Sequence, residues 1–344
     1  MLFVAVALAI LVAGITRYAS GISRVLAFVF SALALAGLAW VVSFITEQVG
    51  MRLGHAVTGF LQSTIGNLPE FFVVVFALAA SQRTIAETAI LGSILSNALL
   101  VLGAVIVAGS RRAADGVMRF SPRLPNDTAT LLLLSTFIIV LIGLTIASRD
   151  LASRHTKTIS IVGAIAILIV YAAWAAQYLR SAELPRADLE RPKMSAAASV
   201  VLLALAGTAS AFVSDWFVNA LQPTIHTLHL TEAFAGLVIV AIAGNAAESV
   251  TAIAMAAKDR SELAIAIVKN AVAQVAAFLY PLVVLVSLLT VTTLTFALAP
   301  VYIGALFGTA VIVWQITNDG EATLFEGAAL IATFVILATV AAFE

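Results

Sequence analysis

From its first residue to its last, the chain is a succession of apolar stretches separated by short polar breaks. A helix needs about 20 apolar residues to cross the hydrocarbon core of a bilayer, and these stretches have that length. Backbone in lipid must satisfy its own hydrogen bonds, so runs this long and uniform specify helices. Cut at the polar punctuation they give eleven spans: 1–16, 25–46, 56–80, 85–109, 128–148, 157–179, 194–220, 232–257, 262–290, 293–316 and 322–343. Composition agrees, since only 10% of residues are charged, against about a quarter in soluble domains. The expectation is an all-α polytopic membrane protein in contact with the lipid bilayer. The run 262–290 is long enough to tilt or to end in a short re-entrant piece. The first run lacks a basic leader and a small-residue cleavage pattern, so it reads as a span.

The zero net charge offers no basic field for nucleic acid, and the absence of cysteine removes disulfides and thiolate metal sites. Six basic residues fall in loops on one side: Arg17, Arg24, Arg83, Arg149, Arg154 and Lys157. Eleven fall on the other: Arg52, Arg111, Arg112, Arg119, Arg123, Arg180, Arg186, Arg191, Lys193, Lys258 and Arg260. The positive-inside bias puts the second side, and with it the N-terminus, in the cytoplasm. The C-terminus is then external, and a plasma or inner membrane is the expected location.

Within this apolar background one pentapeptide pattern occurs twice. "GNLPE" at 66–70 and "GNAAE" at 244–248 both read G-N-x-x-E, both lie mid-span, and they are 178 residues apart. The register continues, since "SQR" at 81–83 matches "DRS" at 259–261 and Gly92 matches Asn270. Five spans make up 25–179 and five make up 194–344. They flank an N-terminal helix and loop (1–24) and a charged linker (180–193), read as cytoplasmic. An odd number of spans per unit makes the two units antiparallel, the inverted-repeat plan whose sites lie near the midplane.

Gly66 and Pro69 weaken their helix together, and the freed carbonyls are tolerable only if buried or facing a wet cavity. With the amide oxygen of Asn67 and the carboxylate of Glu70 they form a set of hard oxygen donors, suited to Ca²⁺ or Na⁺. Asn245 and Glu248 supply the same set from the opposite direction. Two carboxylates brought together can neutralise one divalent ion, or hold protons in its place. An intramembrane carboxylate can also be structural, but two at matched positions point to function. On the following helix, Ser93, Ser96 and Asn97 share one face. They either pack as small residues or complete the coordination shell.

These motifs carry a resemblance. The paired G-N-x-x-E repeats, "GSILSN" at 92–97, "TEQVGMRLG" at 46–54 and "NDGEATLFEGAALI" at 318–331 resemble the calcium/proton exchanger branch of the calcium–cation antiporter superfamily. "LPE" at 68–70 also looks like the sodium/calcium exchanger version of the repeat. The resemblance implies an alternating-access cation site at Asn67, Glu70, Asn245 and Glu248, with the glutamates carrying protons on the return stroke. Ser93, Ser96, Asn97 and Gln274 are the implied supporting ligands. The second repeat departs from the pattern. Ser249 stands where the family has His after the Glu, and Asn270-Ala271-Val272-Ala273-Gln274 replaces a Gly-Ser-Ser-x-Gln run. Gln222 stands where the family has an acid, with Asp215 and Glu47 nearby.

Lys269 lies inside a predicted span where the family has an apolar residue. Its ammonium can snorkel, pair away from the site, or reach the glutamate pair and favour a monovalent ion. His226 and His229 are read as solvated loop residues. The expected activity is cation/proton antiport with Ca²⁺ as first cargo. Na⁺ or another monovalent cation is the alternative, and sodium/calcium exchange comes third. No resident cofactor is expected. An enzyme is disfavoured, with no Cys, no His in a predicted span and no H-E-x-x-H.

Overall fold

The structure is a computed structural model that describes residues 2–19, 21–50, 66–181 and 194–344. Eleven helices occupy these residues: α1 (Leu2–Tyr18), α2 (Arg24–Gly50), α3 (Leu68–Ala79), α4 (Arg83–Ser110), α5 (Arg123–Ala147), α6 (Thr156–Ser181), α7 (Ala196–Leu228), α8 (Glu232–Ala257), α9 (Ser261–Leu289), α10 (Pro300–Thr317) and α11 (Leu324–Ala342). Nine are long and apolar enough to cross a membrane, and α1 and α3 are shorter apolar helices. The protein is a polytopic, all-α membrane protein built on two inverted five-helix repeats.

Local chemistry sets the ends. Ser195 and Thr231 accept backbone N–H bonds at the starts of α7 and α8, and Thr323 with Glu326 forms a reciprocal capping box on α11. α7 has 33 residues and runs through Pro223 without stopping. At 1.5 Å per residue it is about 50 Å long, well beyond a ~30 Å hydrocarbon core. It therefore absorbs the predicted loop at 221–231. His226 is in its last turn and His229 is its left-handed C-cap. α9 stays helical to Leu289, and the chain from 290 to 299 folds back along its end, where Leu294 N donates to Ser287 Oγ, Tyr280 OH donates to Thr295 O, and Leu294 and Phe296 are buried.

α4 and α9 are central. Their most apolar stretches are 83% and 67% buried, against 50% or less in the other membrane-length helices. α2 and α7 pack along one another, with Phe28 and Phe217 ring centroids 5.0 Å apart, and α3 lies against α7. α4 and α8 cross almost backbone to backbone. A Cβ on Gly92 would stand 2.3 Å from Leu237 O, so only glycine fits there.

Both central helices contain a π-turn, at Ser96–Val101 in α4 and Val275–Leu279 in α9. The 178-residue offset carries the first onto 274–279. A third π-turn, Ala235–Val240, precedes the motif in α8. Such turns recur at functional sites.

The loops divide between two faces. On one, strand β1 (Val117–Arg119) pairs antiparallel with β2 (Glu321–Thr323), Arg112 Nε donates to Ala257 O, and Ser121 N donates to Glu262. Arg119 bridges Asp115 and Glu321 at this ribbon and holds the Asp115 carboxyl below its usual range. On the other face, Thr231 donates to Ala341 O and Thr224 to Arg24 O. Loops 110–122, 258–260 and 318–323 thus share one side, as alternating spans require.

Candidate functional site

The first motif marks a break in its span. Gly66 is helical, Asn67 is a turn, and the helix resumes at Leu68. Pro69 falls in the first turn of α3, where its missing N–H costs nothing. Residues 51–65, including the carbonyls expected to be freed there and the predicted start of the span, lie outside the described residues. The second motif differs. α8 is unbroken through Gly244–Glu248, because "GNAAE" has alanines where the first copy has Leu-Pro. The irregularity of α8 is its π-turn, which ends four residues before Gly244.

Glu70, in the first turn of α3, is buried. Ser93 Oγ on α4 donates to its carboxylate at 3.1 and 3.2 Å. Asn245 Nδ2 on α8 donates to Ser93 Oγ at 2.9 Å and to Ala241 O at 2.9 Å. Asn97 Nδ2 donates to Asn245 Oδ1 at 2.8 Å and to Ser93 O at 3.1 Å. The result is a directed chain, Asn97 to Asn245 to Ser93 to Glu70, that ends on a carboxylate. Burial makes each link of this chain matter more. Ser214 Oγ on α7 donates to Pro69 O at 3.3 Å, which ties the long helix to the start of α3.

Glu248 stands opposite. It is half-buried, as are Gly244, Ala246, Ala247 and Ser249. No hydrogen bond to its carboxylate is seen among the described residues. The glutamates meet through the motif glycines. A Cβ on Gly66 would stand 3.1 Å from Glu248 Oε1, and one on Gly244 would stand 2.8 Å from Glu70 Oε1. Each carboxylate thus lies against the other repeat's motif. A narrow cavity of about 10 Å³, room for roughly one water, reaches Glu70 and Ser93 between Leu35, Val73, Ile90 and Leu279. Its walls lie one turn beyond Glu70 along α3, toward the 80–82 turn.

The other predicted residues sit less centrally. Ser96 donates only to Ser93 O, at 3.4 Å. Gln274 is buried with Oε1 unpartnered, and the same is true of Asn67 Nδ2 and Asn270 Oδ1. Lys269 is 2% exposed and donates to Thr317 Oγ1 at 2.9 Å, near the end of α10. Among the described residues it forms no ion pair with Glu70 or Glu248, so its reach to the glutamates is not what this structure shows. Gln222 Nε2 donates to Glu232 Oε1 at 2.7 Å and Asp215 accepts from Asn219, both away from the pair. The side chain of Glu47 lies outside the described residues. Gly66 was read as a helix-weakening residue and Gly244 only as part of a motif; their contact with the opposite glutamate is the feature sequence reasoning missed.

Chemically, the site offers two carboxylates with amide and hydroxyl groups among apolar walls. That donor set suits a hard cation or protons, not a thiolate- or imidazole-loving metal.

Comparison with known proteins agrees with the geometry. The family model for sodium/calcium exchanger protein matches twice, over residues 23–177 and 198–343. The chain is 27% identical to the Ca²⁺/H⁺ antiporter ChaA of Bacillus subtilis over 301 residues, covering 85% of each protein. It is 28% identical to a vacuolar calcium ion transporter of Schizosaccharomyces pombe over 318 residues, covering 90% of this chain and 77% of that one. The native structure of YfkE superposes with a TM-score of 0.81 at 25% identity, covering 100% of both chains. Twofold coverage by one family model, on a fold that carries its paired motif glutamates to a common centre, shows that this chain belongs to the sodium/calcium exchanger family.

Proposed function

We propose that the protein is a secondary active antiporter that exchanges a cation for protons, with Ca²⁺ as its principal cargo. The observation that carries this reading is the meeting of Glu70 and Glu248, each lodged against the other repeat's motif glycine. Two carboxylates there call for a divalent cation or for protons between them, and exclusive occupancy by one or the other is what couples the two fluxes. Relatives named as Ca²⁺/H⁺ antiporters support the choice of cargo.

In this reading Ca²⁺ takes the carboxylate oxygens of Glu70 and Glu248 first. Asn67, Asn245, Ser93 and Asn97 then provide neutral oxygens, and Ser96 and Gln274 stand behind them. Ca²⁺ asks for about six to eight oxygens at roughly 2.3–2.6 Å, so Asn245 Oδ1 must share itself between Asn97 and the ion. Ser93 and Asn245 hold Glu70 in place whether it carries ion or proton. Cargo reaches the site alternately from the two faces as the packed helices rearrange around it.

The two units are 25–179 and 194–344, with the 180–193 linker and the ribbon face in the cytoplasm and the C-terminus outside, in a plasma or inner membrane. The chain transports rather than catalyses, with no resident cofactor. Exchange of Na⁺ or another monovalent cation for protons is the second reading. It is favoured by Ala271 and Val275, which stand where the first repeat has Ser93 and Asn97, and by Lys269 as a modulator. Sodium/calcium exchange comes third, since the second repeat lacks hydroxyl ligands for several sodium ions.

The test is proton flux in proteoliposomes driven in turn by Ca²⁺, Na⁺ and K⁺ gradients. Ca²⁺ is expected to drive the largest flux, and Glu70→Gln or Glu248→Gln to abolish it. Full activity in either variant would overturn the assignment.

A further inference from the structure

Glycines at helix contacts in this protein fall into two kinds. Gly92 faces backbone: a Cβ there would stand 2.3 Å from Leu237 O and 2.6 Å from its Cα, and neither can step aside. Gly244 faces the arm of an acid. A Cβ there would lie 2.8 Å from Glu70 Oε1, 2.9 Å from its Cγ and 3.3 Å from its Cδ, where real Cβ contacts stop near 3.0 Å. Gly66 faces Glu248 Oε1 at 3.1 Å and Ser43 Oγ at 3.9 Å. In the second kind the neighbour is a side chain that can rotate away, so a methyl would displace the carboxylate and leave the helices where they are.

We propose that Gly244 and Gly66 are positioning residues of the exchange site, each fixing where the opposite repeat's glutamate carboxylate stands. Gly244 is the stricter of the two. Glu70 is held from one side by Ser93 and limited from the other by the backbone of α8 at Gly244. These two contacts set where its carboxylate stands. A methyl on α8 pushes it off the Ser93 hydroxyl, which breaks the donor chain at its last link while Asn97, Asn245 and Ser93 keep their mutual bonds. Glu248 has no such donor among the described residues, and its contact at Gly66 is longer, so the same change there is better tolerated. The reciprocity explains why the pattern keeps glycine in both copies although the residues between Asn and Glu differ. At Gly244 the glycine answers to the partner glutamate, not to a break in its own helix, since α8 is continuous α-helix there.

This inference rests on the reading of Glu70 as an ion ligand, and the test separates the two. Purified full-length Gly244→Ala, Gly66→Ala, Gly92→Ala, Glu70→Asp, Glu70→Gln and the Gly244→Ala/Glu70→Asp double variant are compared by Ca²⁺-driven proton flux and by thermal unfolding in detergent. Gly244→Ala is expected to raise KM for Ca²⁺ roughly tenfold or more, since a misplacement of about 1 Å can cost up to ~100-fold. Its Tm should stay within about 2 °C of the parent. Gly66→Ala is expected to raise KM less, and Gly92→Ala to lower Tm clearly. In the Glu70→Asp background, whose arm is one methylene shorter, the alanine at 244 should cost at least about fivefold less than in the parent, the coupling expected of residues in contact. The proposal is overturned if Gly244→Ala keeps the parental KM while Glu70→Gln is inactive. It is equally overturned if Gly244→Ala loses Tm as Gly92→Ala does, or if the alanine costs as much with the shortened acid as with Glu70. Undiminished transport by Glu70→Gln overturns the ion-site reading beneath it.

Discussion

The two half-sites share a backbone and differ in what hangs on it. α4 and α9 carry π-turns at equivalent positions, and both motifs place Gly, Asn and Glu in the same order. Yet Glu70 ends a chain of donors and Glu248 accepts none among the described residues. The cause is two side chains. The offset that aligns the motifs puts Ala271 opposite Ser93 and Val275 opposite Asn97, which deletes the hydroxyl and the amide. Their absence is felt at Asn67, the counterpart of Asn245. Asn245 uses both amide hydrogens and its oxygen, whereas Asn67 Nδ2 is buried without a partner. Backbone symmetry thus survives in a protein whose chemistry is lopsided. One carboxylate is held by a donor, and the other has none among the described residues.

The comparison predicts unequal costs for equal substitutions. In calcium-free buffer, Asn245→Ala strips partners from Asn97 and Ser93 in a buried network and should cost about 2–4 kcal/mol, from three lost bonds and the groups left unpaired. Asn67→Ala should cost under about 1 kcal/mol, because the amide hydrogens it removes were already orphaned. Denaturant or thermal unfolding in detergent checks both, and equal losses would break the comparison. A smaller effect is expected from Ala271→Ser, which returns a hydroxyl to the position of Ser93. One net hydrogen bond is worth ~0.5–1.5 kcal/mol, so KM for Ca²⁺ should fall by about threefold in flux assays. An unchanged KM would mean that the second half-site does not use a donor there. Smallest of all is Lys269→Met. Its amine is bonded to Thr317, and groups without shared partners usually couple by less than ~0.5 kcal/mol, about twofold. The ratio of Ca²⁺- to Na⁺-driven flux should therefore move by no more than that. A tenfold change would show that the amine meets the glutamates at another stage of the cycle.

Much of this was legible in the sequence, for physical reasons. Spans long enough to cross lipid announce themselves by length, and a carboxylate inside one is too costly to be incidental, so Glu70 and Glu248 stand out. The fixed offset paired them. Other features have no local signal. "SNALLV" and "VAAFL" share little that marks a π-turn, so the matched turns emerge only from packing. The sequence leaves Lys269 three roles, because it shows only neighbours along the chain. Its partner is 48 residues away on another helix. α8 runs unbroken through its motif because alanines stand where the first copy has Leu-Pro. α7 runs past its predicted end because surrounding helices make Pro223 tolerable, against its intrinsic propensity. The reciprocal fit of glycine and glutamate involves atoms that are absent from one partner, which no pattern of side chains reports.

The short ribbon of β1 and β2 carries a consequence for how the protein is made. Its strands pair Val117 with Thr323 and Arg119 with Glu321, so more than two hundred residues separate the partners. Chains emerge from the ribosome N-terminus first, at about 5–20 residues per second, and β2 follows the tenth helix. The loop after α4 must therefore wait, its edge unpaired, for roughly ten seconds or more at that rate. The contact of Glu70 with Ser93 lies within one helical hairpin and is available at once. The Glu70–Ser93 contact thus precedes the arrival of Asn245 and Gly244, and the ribbon face is fastened late, by a pairing that ties the end of the second repeat back to the middle of the first.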